Sequence, residues 1–220
     1  MTQRVWTDVD QYIDNLLVGE DEALDHALEA SDKAGLPQIN ISASQGKFLN
    51  LIARIRGARK ILEFGTLAGS STIWLARALP ADGKLITLEA DPHHAEVAVG
   101  NIAAAGLAGR VEVKVGKALD TLPTLTGEGP FDLFFIDADK VNNPAYVQWS
   151  LDHSRPGSVI IVDNVVRSGL VLDADSTDPS VVGTREVGAL LAAEPRLSAT
   201  MVQTVGNKGY DGFALVLVDS

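Results

Sequence analysis

The chain has 220 residues, 46% hydrophobic and 21% charged, which is enough apolar material for one sizeable core and is not the composition of a disordered chain. Its 18 Lys plus Arg against 29 Asp plus Glu give a formal charge of −11 with no basic cluster to offset it, which argues against a nucleic-acid partner. There is no cysteine, excluding disulfides, thiolate nucleophiles and Cys-ligated zinc, and the apolar stretches break well short of the ~20 residues that span a membrane.

Met1 to Asp10 carries no signal-peptide pattern, so the expected location is cytoplasmic, as one domain over residues 1–220. Residues 1–55 read as helices outside any sheet, with helical patterns at Val9 to Val18 and Glu22 to Lys33, broken by Gly35-Leu36-Pro37. Residues 56–220 read as the core. Strand-like and helix-like segments alternate there: strand Lys60 to Phe64, helix Gly69 to Leu79 stopped by Pro80, strand Lys84 to Glu89, helix Pro92 to Ala105 and strand Arg110 to Val115. Phe131 to Ile136 and Ser158 to Val162 are further strands, with a helix around Pro144 to His153 between them. This alternation implies an α/β fold with parallel strands and right-handed helical crossovers. After a helix near Val182 to Ala193, Leu197 to Val205 and Gly212 to Val218 are joined by the short turn-rich segment 206–211, which predicts an antiparallel hairpin at the sheet edge.

Function-bearing residues cluster where strands end. Phe131 to Ile136 runs into Asp137-Ala138-Asp139-Lys140, and Ser158 to Val162 runs into Asp163-Asn164. Open α/β sheets bind ligands at the carboxyl edge of their strands. Two aspartates and an asparagine there supply hard oxygen donors suited to Mg²⁺ with positions left for water or substrate. The turn Glu63-Phe64-Gly65-Thr66-Leu67-Ala68-Gly69-Ser70-Ser71 lets backbone pass close to a ligand. Its spacing fits neither GxGxxG nor a P-loop, and the acidic Glu63 entering it suits a ligand carrying positive charge, such as S-adenosylmethionine. Glu89 stands at the end of the second strand, where a nucleotide-binding unit places a carboxylate on ribose hydroxyls.

Each residue also has a plain structural reading. A lone Asp at a strand end often caps a helix, Asp-Asn makes good turns, and a lone Lys is usually solvated. Their coincidence at one edge of one sheet favours an enzyme. His93 and His94 read as an exposed first helical turn, Trp74 and Trp149 as packing residues, and Tyr210 as part of the edge hairpin. An NAD-dependent oxidoreductase on a similar sheet is the alternative, disfavoured by the glycine spacing, and a non-catalytic binding protein of the same fold is a third reading.

The segments Glu63 to Ser71, Leu88-Glu89-Ala90-Asp91, Phe135-Ile136-Asp137-Ala138-Asp139-Lys140 and Val162-Asp163-Asn164-Val165 together resemble the motifs of the cation-dependent O-methyltransferases. These are small class I S-adenosylmethionine enzymes that include catechol and caffeoyl-CoA O-methyltransferases. The resemblance runs from about Ile41 to the C-terminus. It implies a Rossmann-like class I methyltransferase fold, with a seven-stranded, mostly parallel sheet, an antiparallel last strand and helices on both faces. It also implies a homodimer, dependence on Mg²⁺ or another divalent cation such as Mn²⁺ or Ca²⁺, and a phenolic small-molecule acceptor. Carried over by position, Ile41, Gly65, Thr66, Ser71, Glu89 and Ala118 match cofactor contacts, and Asp137, Asp163 and Asn164 match metal ligands. Lys140 matches a catalytic lysine and Asp139 a substrate contact. Gly69 and Glu63 join the cofactor set from the glycine loop, and Asp137 borders both cofactor and metal. Ser70, the loop Gly116-Lys117-Ala118 and the pair Arg167-Ser168 depart from common relatives.

A phenol titrates near ~10, so its ionisation needs help from a bound cation. A dication beside an ammonium favours the neutral amine, so Lys140 reads as a general base or as a group that only orients the acceptor. The expected acceptor walls are the N-terminal helices, the Gly- and Asp-containing segment 165–180 as a mobile loop, and the turn 206–211.

Overall fold

Parallel strands covered on both faces need near-continuous apolar runs, and Leu133-Phe134-Phe135-Ile136 and Ile160-Ile161-Val162 are all buried. The computed structural model describes residues 2–220. Its strands are β1 (Lys60–Phe64), β2 (Lys84–Glu89), β3 (Val111–Val115), β4 (Leu133–Ile136), β5 (Val159–Asp163), β6 (Leu197–Gly206) and β7 (Gly209–Val218). They form one seven-stranded sheet in the order β3-β2-β1-β4-β5-β7-β6. β1 to β5 pair in parallel, while β7 runs antiparallel to both β5 and β6.

The antiparallel hairpin stands at the sheet edge, as expected. β6 is its outer strand and β7 lies between β6 and β5, while β3 forms the opposite edge of the sheet. The turn is tighter than expected, because the ladder continues to the Gly206–Gly209 pair.

The helices are α1 (Gln3–Ile13), α2 (Glu22–Lys33), α3 (Ala43–Arg56), α4 (Ser70–Ala76), α5 (Pro92–Ala104), α6 (Ala118–Thr121), α7 (Asn143–Asp152) and α8 (Pro179–Ala193). α1 begins earlier than its periodicity suggested and widens into a π-type turn over Asp14–Val18. α3 was not anticipated as a separate helix. Ser42 caps it by accepting the Gln45 N–H at 3.2 Å, and Gly57 ends it at φ 66°. It packs tightly on α4: a Cβ on Gly46 would lie 2.2 Å from Trp74 Cδ1.

The core has two layers, as side-chain alternation along the strands requires. On one face Leu62, Phe64, Phe134 and Ile160 pack with Tyr146 and Val147 of α7 and Val187 of α8. On the other, Ile61, Leu85, Leu133 and Phe135 pack with Leu49 of α3, Ile73 of α4 and Ile102 of α5. Trp74 and Trp149 pack as expected, Trp149 stacking on His153 at 3.7 Å between ring centroids.

The amino edge of the sheet is locked by a buried carboxylate. Asp132 is 1% exposed and accepts the N–H groups of Arg59 (2.8 Å) and Lys60 (3.0 Å), while Arg155 and Arg56 pair with its other oxygen. Burial alone would raise this carboxyl, but the Arg155 guanidinium and the two N–H groups hold it below the usual range. Among the described residues no helix is long and apolar enough to cross a membrane.

Candidate active site

At the opposite, carboxyl edge the strand ends are stitched together by backbone. Gly65 N–H donates to Leu88 O (2.9 Å), Asp137 N–H to Phe64 O (2.9 Å) and Gly116 N–H to Glu89 O (2.8 Å). Above them opens a cleft of about 1360 Å³ at the β1/β4 point where strand order reverses. That exceeds the ~300–1,000 Å³ typical of a single small-molecule pocket, so there is room for two ligands side by side. A second hollow, of about 520 Å³, lies between α3 and the hairpin at the amino edge; its lining is mainly apolar, with Arg56, Ser198 and Thr200 as its polar residues, and it holds none of the candidate residues.

The cleft is lined by Ile41, Gly65, Thr66, Ser71, Glu89, Ala118, Asp137, Asp139, Lys140, Asp163 and Asn164. Glu63 and Gly69 lie outside it. Alternation along β1 turns Glu63 to the α4 face, where it is fully buried and accepts the Thr72 hydroxyl. Burial first, and Asp137's charge to a lesser degree, push its carboxyl up to about 7. Gly69, at φ 87°, begins α4 and faces Ala98 and Ile102 of α5, so its lack of a side chain serves the turn and helix packing.

Glu89 organises the glycine loop as well as facing the cleft. Its Oε2 accepts the N–H groups of Thr66 (3.1 Å) and Leu67 (2.8 Å), and its Oε1 accepts that of Asp91 (3.0 Å). His94, expected as an exposed helical residue, instead lines the cleft with Nδ1 3.7 Å from Glu89 Oε1; only His93 is exposed. The difference comes from rotation along the first turn of α5, which points consecutive side chains in different directions.

On the β4–β5 side, Lys140 Nζ donates to Asp137 Oδ1 at 2.7 Å, with the lysine side chain only 10% exposed. Asp163 accepts the Asn164 N–H at 2.8 Å and the Gln45 side chain at 2.8 Å. Burial, then the charge of Asp137, raise the Asp163 carboxyl well above the usual range, opposed by Lys140, the Asn164 N–H and Gln45. Asp139 already holds Tyr146 Oη at 2.6 Å and the Asn142 amide. Burial first, and then the hydrogen bond to Asp139 and its charge, raise the Tyr146 phenol.

Gln45, Tyr146, Arg167 and Lys208 also line the cleft without having been singled out as site residues. For Gln45 a signal existed: Ser42-x-x-Gln45 is a capping-box spacing. It marks the start of α3, but the Gln45 side chain reaches Asp163 rather than its own helix end. Segment 165–180, expected as a mobile loop, contains a 3₁₀ stretch over Arg167–Leu172 held by hydrogen bonds to β7 and α8.

A reversed strand beside five parallel ones, with a glycine loop after β1 at the switch point and a carboxylate ending the neighbouring β2, is the arrangement of a class I methyltransferase. A model of the O-methyltransferase family matches residues 15–217. The chain is 58% identical over 211 residues to a catechol O-methyltransferase of Mycobacterium tuberculosis, covering 96% of this chain and 95% of that one. It is 53% identical over 220 residues to a catechol O-methyltransferase of Niastella koreensis, covering 99% and 100%. Among solved structures, a Bacillus cereus O-methyltransferase in complex with S-adenosylhomocysteine superposes with TM-score 0.97 at 54% identity, over 99% of this chain and 100% of that one. The Streptomyces achromogenes enzyme TomG of tomaymycin synthesis, in complex with S-adenosylmethionine, gives 0.97 at 52% identity with full coverage of both chains. This chain belongs to the O-methyltransferase family and is an S-adenosylmethionine-dependent enzyme, which excludes the dinucleotide oxidoreductase and non-catalytic readings.

Proposed function

We propose that this enzyme methylates a hydroxyl of a catechol or related phenolic small molecule, with Asp137, Asp163 and Asn164 holding a divalent cation, Mg²⁺ foremost. The observation that carries this reading is the Asp137–Asp163 pair. Two carboxylates feel each other's charge in a half-buried wall, with Lys140 as the ammonium beside them. Such a pair is costly unless a cation answers it, and with the Asn164 amide it forms an all-oxygen donor set suited to Mg²⁺. The catechol names of two relatives more than half identical to this chain support the acceptor class.

When bound, the cation supplies Lewis-acid stabilisation of an ionised acceptor oxygen, and S-adenosylmethionine supplies an electrophilic methyl group. The chain does the rest. Glu89 and the loop it pins position the cofactor's ribose, Ile41, Thr66, Ser71 and Ala118 line the remainder of its site, and Gly65 lets backbone approach it. With the dication bound, which would favour its neutral amine, Lys140, steadied by Asp137, would take the proton of the acceptor hydroxyl and become the ammonium, and Asp139, itself held by Tyr146, borders the acceptor. Catalysis beyond that is alignment of oxygen, methyl and sulfur.

The test is methyl transfer from S-adenosylmethionine to catechol with Mg²⁺ or with EDTA. Turnover confined to the Mg²⁺ arm is expected, and equal turnover in EDTA would remove the cation from the reading. We also infer a homodimer, supported by edge strand β6, which leaves one strand edge unpaired and exposes Met201 and Val205 on one face and Val202 on the other. Light scattering should give twice the 23.3 kDa chain mass, and a monomer at micromolar concentration would overturn it.

A further inference from the structure

Beyond Asn164 the acceptor wall continues through an unusual stretch of backbone. Asn164, Arg167 and Ser168 have φ of 59°, 54° and 54°, a region non-glycine residues occupy only where surroundings impose it. The imposing group is Asp211 at the start of β7. Its Oδ1 accepts the N–H groups of Val166 (3.0 Å), Arg167 (2.9 Å) and Gly212 (2.9 Å), while the Ser168 hydroxyl donates to Tyr210 O (3.2 Å). Strain of this kind, held by a dedicated carboxylate beside a site, places a side chain for a purpose.

The side chain so placed is Arg167, which lines the cleft and whose Nε is buried with no hydrogen-bond partner. Arg56 also has an orphaned Nε, but Asp132 answers its charge; no ion pair among the described residues does the same for Arg167. The nearby Asp211 oxygen is already committed to three backbone N–H groups. Lys208, exposed on the β6–β7 turn, lines the same cleft, and Val141 and Pro179 add apolar surface to it. In a chain of net charge −11, a half-buried arginine with a buried, unpartnered Nε and an exposed lysine, neither in an ion pair among the described residues, mark a place for a ligand anion.

Building on the catechol reading above, we propose that Arg167, with Lys208 as an outer partner, binds an anionic substituent of the acceptor, so that catechols bearing a carboxylate are preferred. Arg167 is thus a specificity residue rather than a catalytic one. A guanidinium fork matches a carboxylate in two-point geometry, which a neutral ester cannot reproduce.

The experiment compares kcat/KM for 3,4-dihydroxybenzoate, its methyl ester and catechol, with saturating S-adenosylmethionine and Mg²⁺, in the wild type, R167M, R167K and K208Q. The wild type is expected to favour the acid over the ester. R167M should lower that ratio by about 10- to 100-fold, the range for loss of a charge-assisted hydrogen bond. R167K should be intermediate, because it keeps the charge without the fork, and K208Q should give a smaller, salt-sensitive loss. Calorimetric affinity for S-adenosylhomocysteine and Tm, measured on each variant, report on the cofactor site and on folding. Weaker S-adenosylhomocysteine binding by R167M would assign Arg167 to the cofactor carboxylate and overturn the proposal. An unchanged acid-to-ester ratio in both Arg167 variants would also overturn it. Mg²⁺-dependent methylation of catechol without any wild-type preference for the acid defeats this inference alone, whereas no methylation of any of the three defeats the catechol reading with it.

Discussion

Gly65→Ala tests whether the cleft depends on the close approach of two strand ends. A Cβ at Gly65 would lie 2.2 Å from the Asp137 carbonyl oxygen and 3.0 Å from its carbon, both backbone atoms, at a φ of 90°. Ordinary contact begins near 3.4 Å, so the end of β4 must move by roughly 1 Å. The left-handed conformation costs alanine about 1–2 kcal/mol and the overpacking about 1–3 kcal/mol. At ~2–4 °C per kcal/mol for a chain of this size, Tm should fall by about 10 °C. Asp137 rides on the displaced segment, and a shift of ~1 Å in a positioning group costs on the order of 100-fold in rate. The assay is kcat/KM for catechol well below the variant's melting point, alongside thermal unfolding. Gly69→Ala is the comparison: its φ of 87° carries a similar conformational cost, but its nearest foreign atoms lie at 3.5 Å. It should lose only about 2–8 °C and keep kcat/KM within ~3-fold. A Gly65→Ala enzyme with wild-type Tm and kcat/KM would show that the two strand ends are not in contact.

Three further outcomes follow from particular contacts. In Glu89→Gln, an amide NH₂ replaces one of two oxygens that between them accept three N–H groups, so S-adenosylmethionine affinity by calorimetry should weaken about 10- to 100-fold, and unchanged affinity would count against the loop-pinning role. Gly183→Ala puts a Cβ 2.4 Å from Lys140 O, so kcat should fall about 10- to 100-fold with little change in S-adenosylhomocysteine binding; a wild-type kcat would contradict it. Asp132→Asn should cost about 3–5 kcal/mol in urea unfolding at pH 7. Because the folded Asp132 carboxyl is held low, its contribution is present above the unfolded value near ~3.9 and lost as pH falls through the folded value. The wild-type advantage should therefore shrink toward pH 3, and a gap that is constant with pH would refute the ionic account.

What could be read from the chain follows from the range of the interactions involved. The buried strands and the groups at their ends were legible because β4 and β5 are continuous apolar runs closed by polar residues, a local signal. Glu63 was misplaced into the cleft because loop proximity outweighed the period of two that turns it toward Thr72. α3 escaped because Ala43 to Arg56 mixes Gln, Lys, Asn and Arg with its apolar residues, and its helical state rests on a Ser cap and on the Gly46–Trp74 packing. The Gln45–Asp163 bond spans 118 positions, and the Asp211 contacts that set Arg167 span 44 and 45; no local pattern contains them.

The strand that breaks the parallel rule also completes the side of the cleft proposed for the acceptor. Because β7 pairs antiparallel with β5, Asp163 faces Phe213, and the start of β7 lies beside the end of β5. The β6–β7 turn therefore stands at the carboxyl edge, where it delivers Lys208 to the cleft and Asp211 to the loop after Asn164. A parallel β7 would have put both residues at the far edge, next to Asp132. α1 secures the arrangement from outside, with Gln3 donating to Gly206 O at 2.8 Å and Asp10 accepting the Asn207 N–H at 2.7 Å. The half of the cleft proposed for the cofactor is thus built from β1, β2 and the loop that Glu89 pins. The half proposed for the acceptor depends on a hairpin whose direction, rather than its composition, brings charge to the cleft.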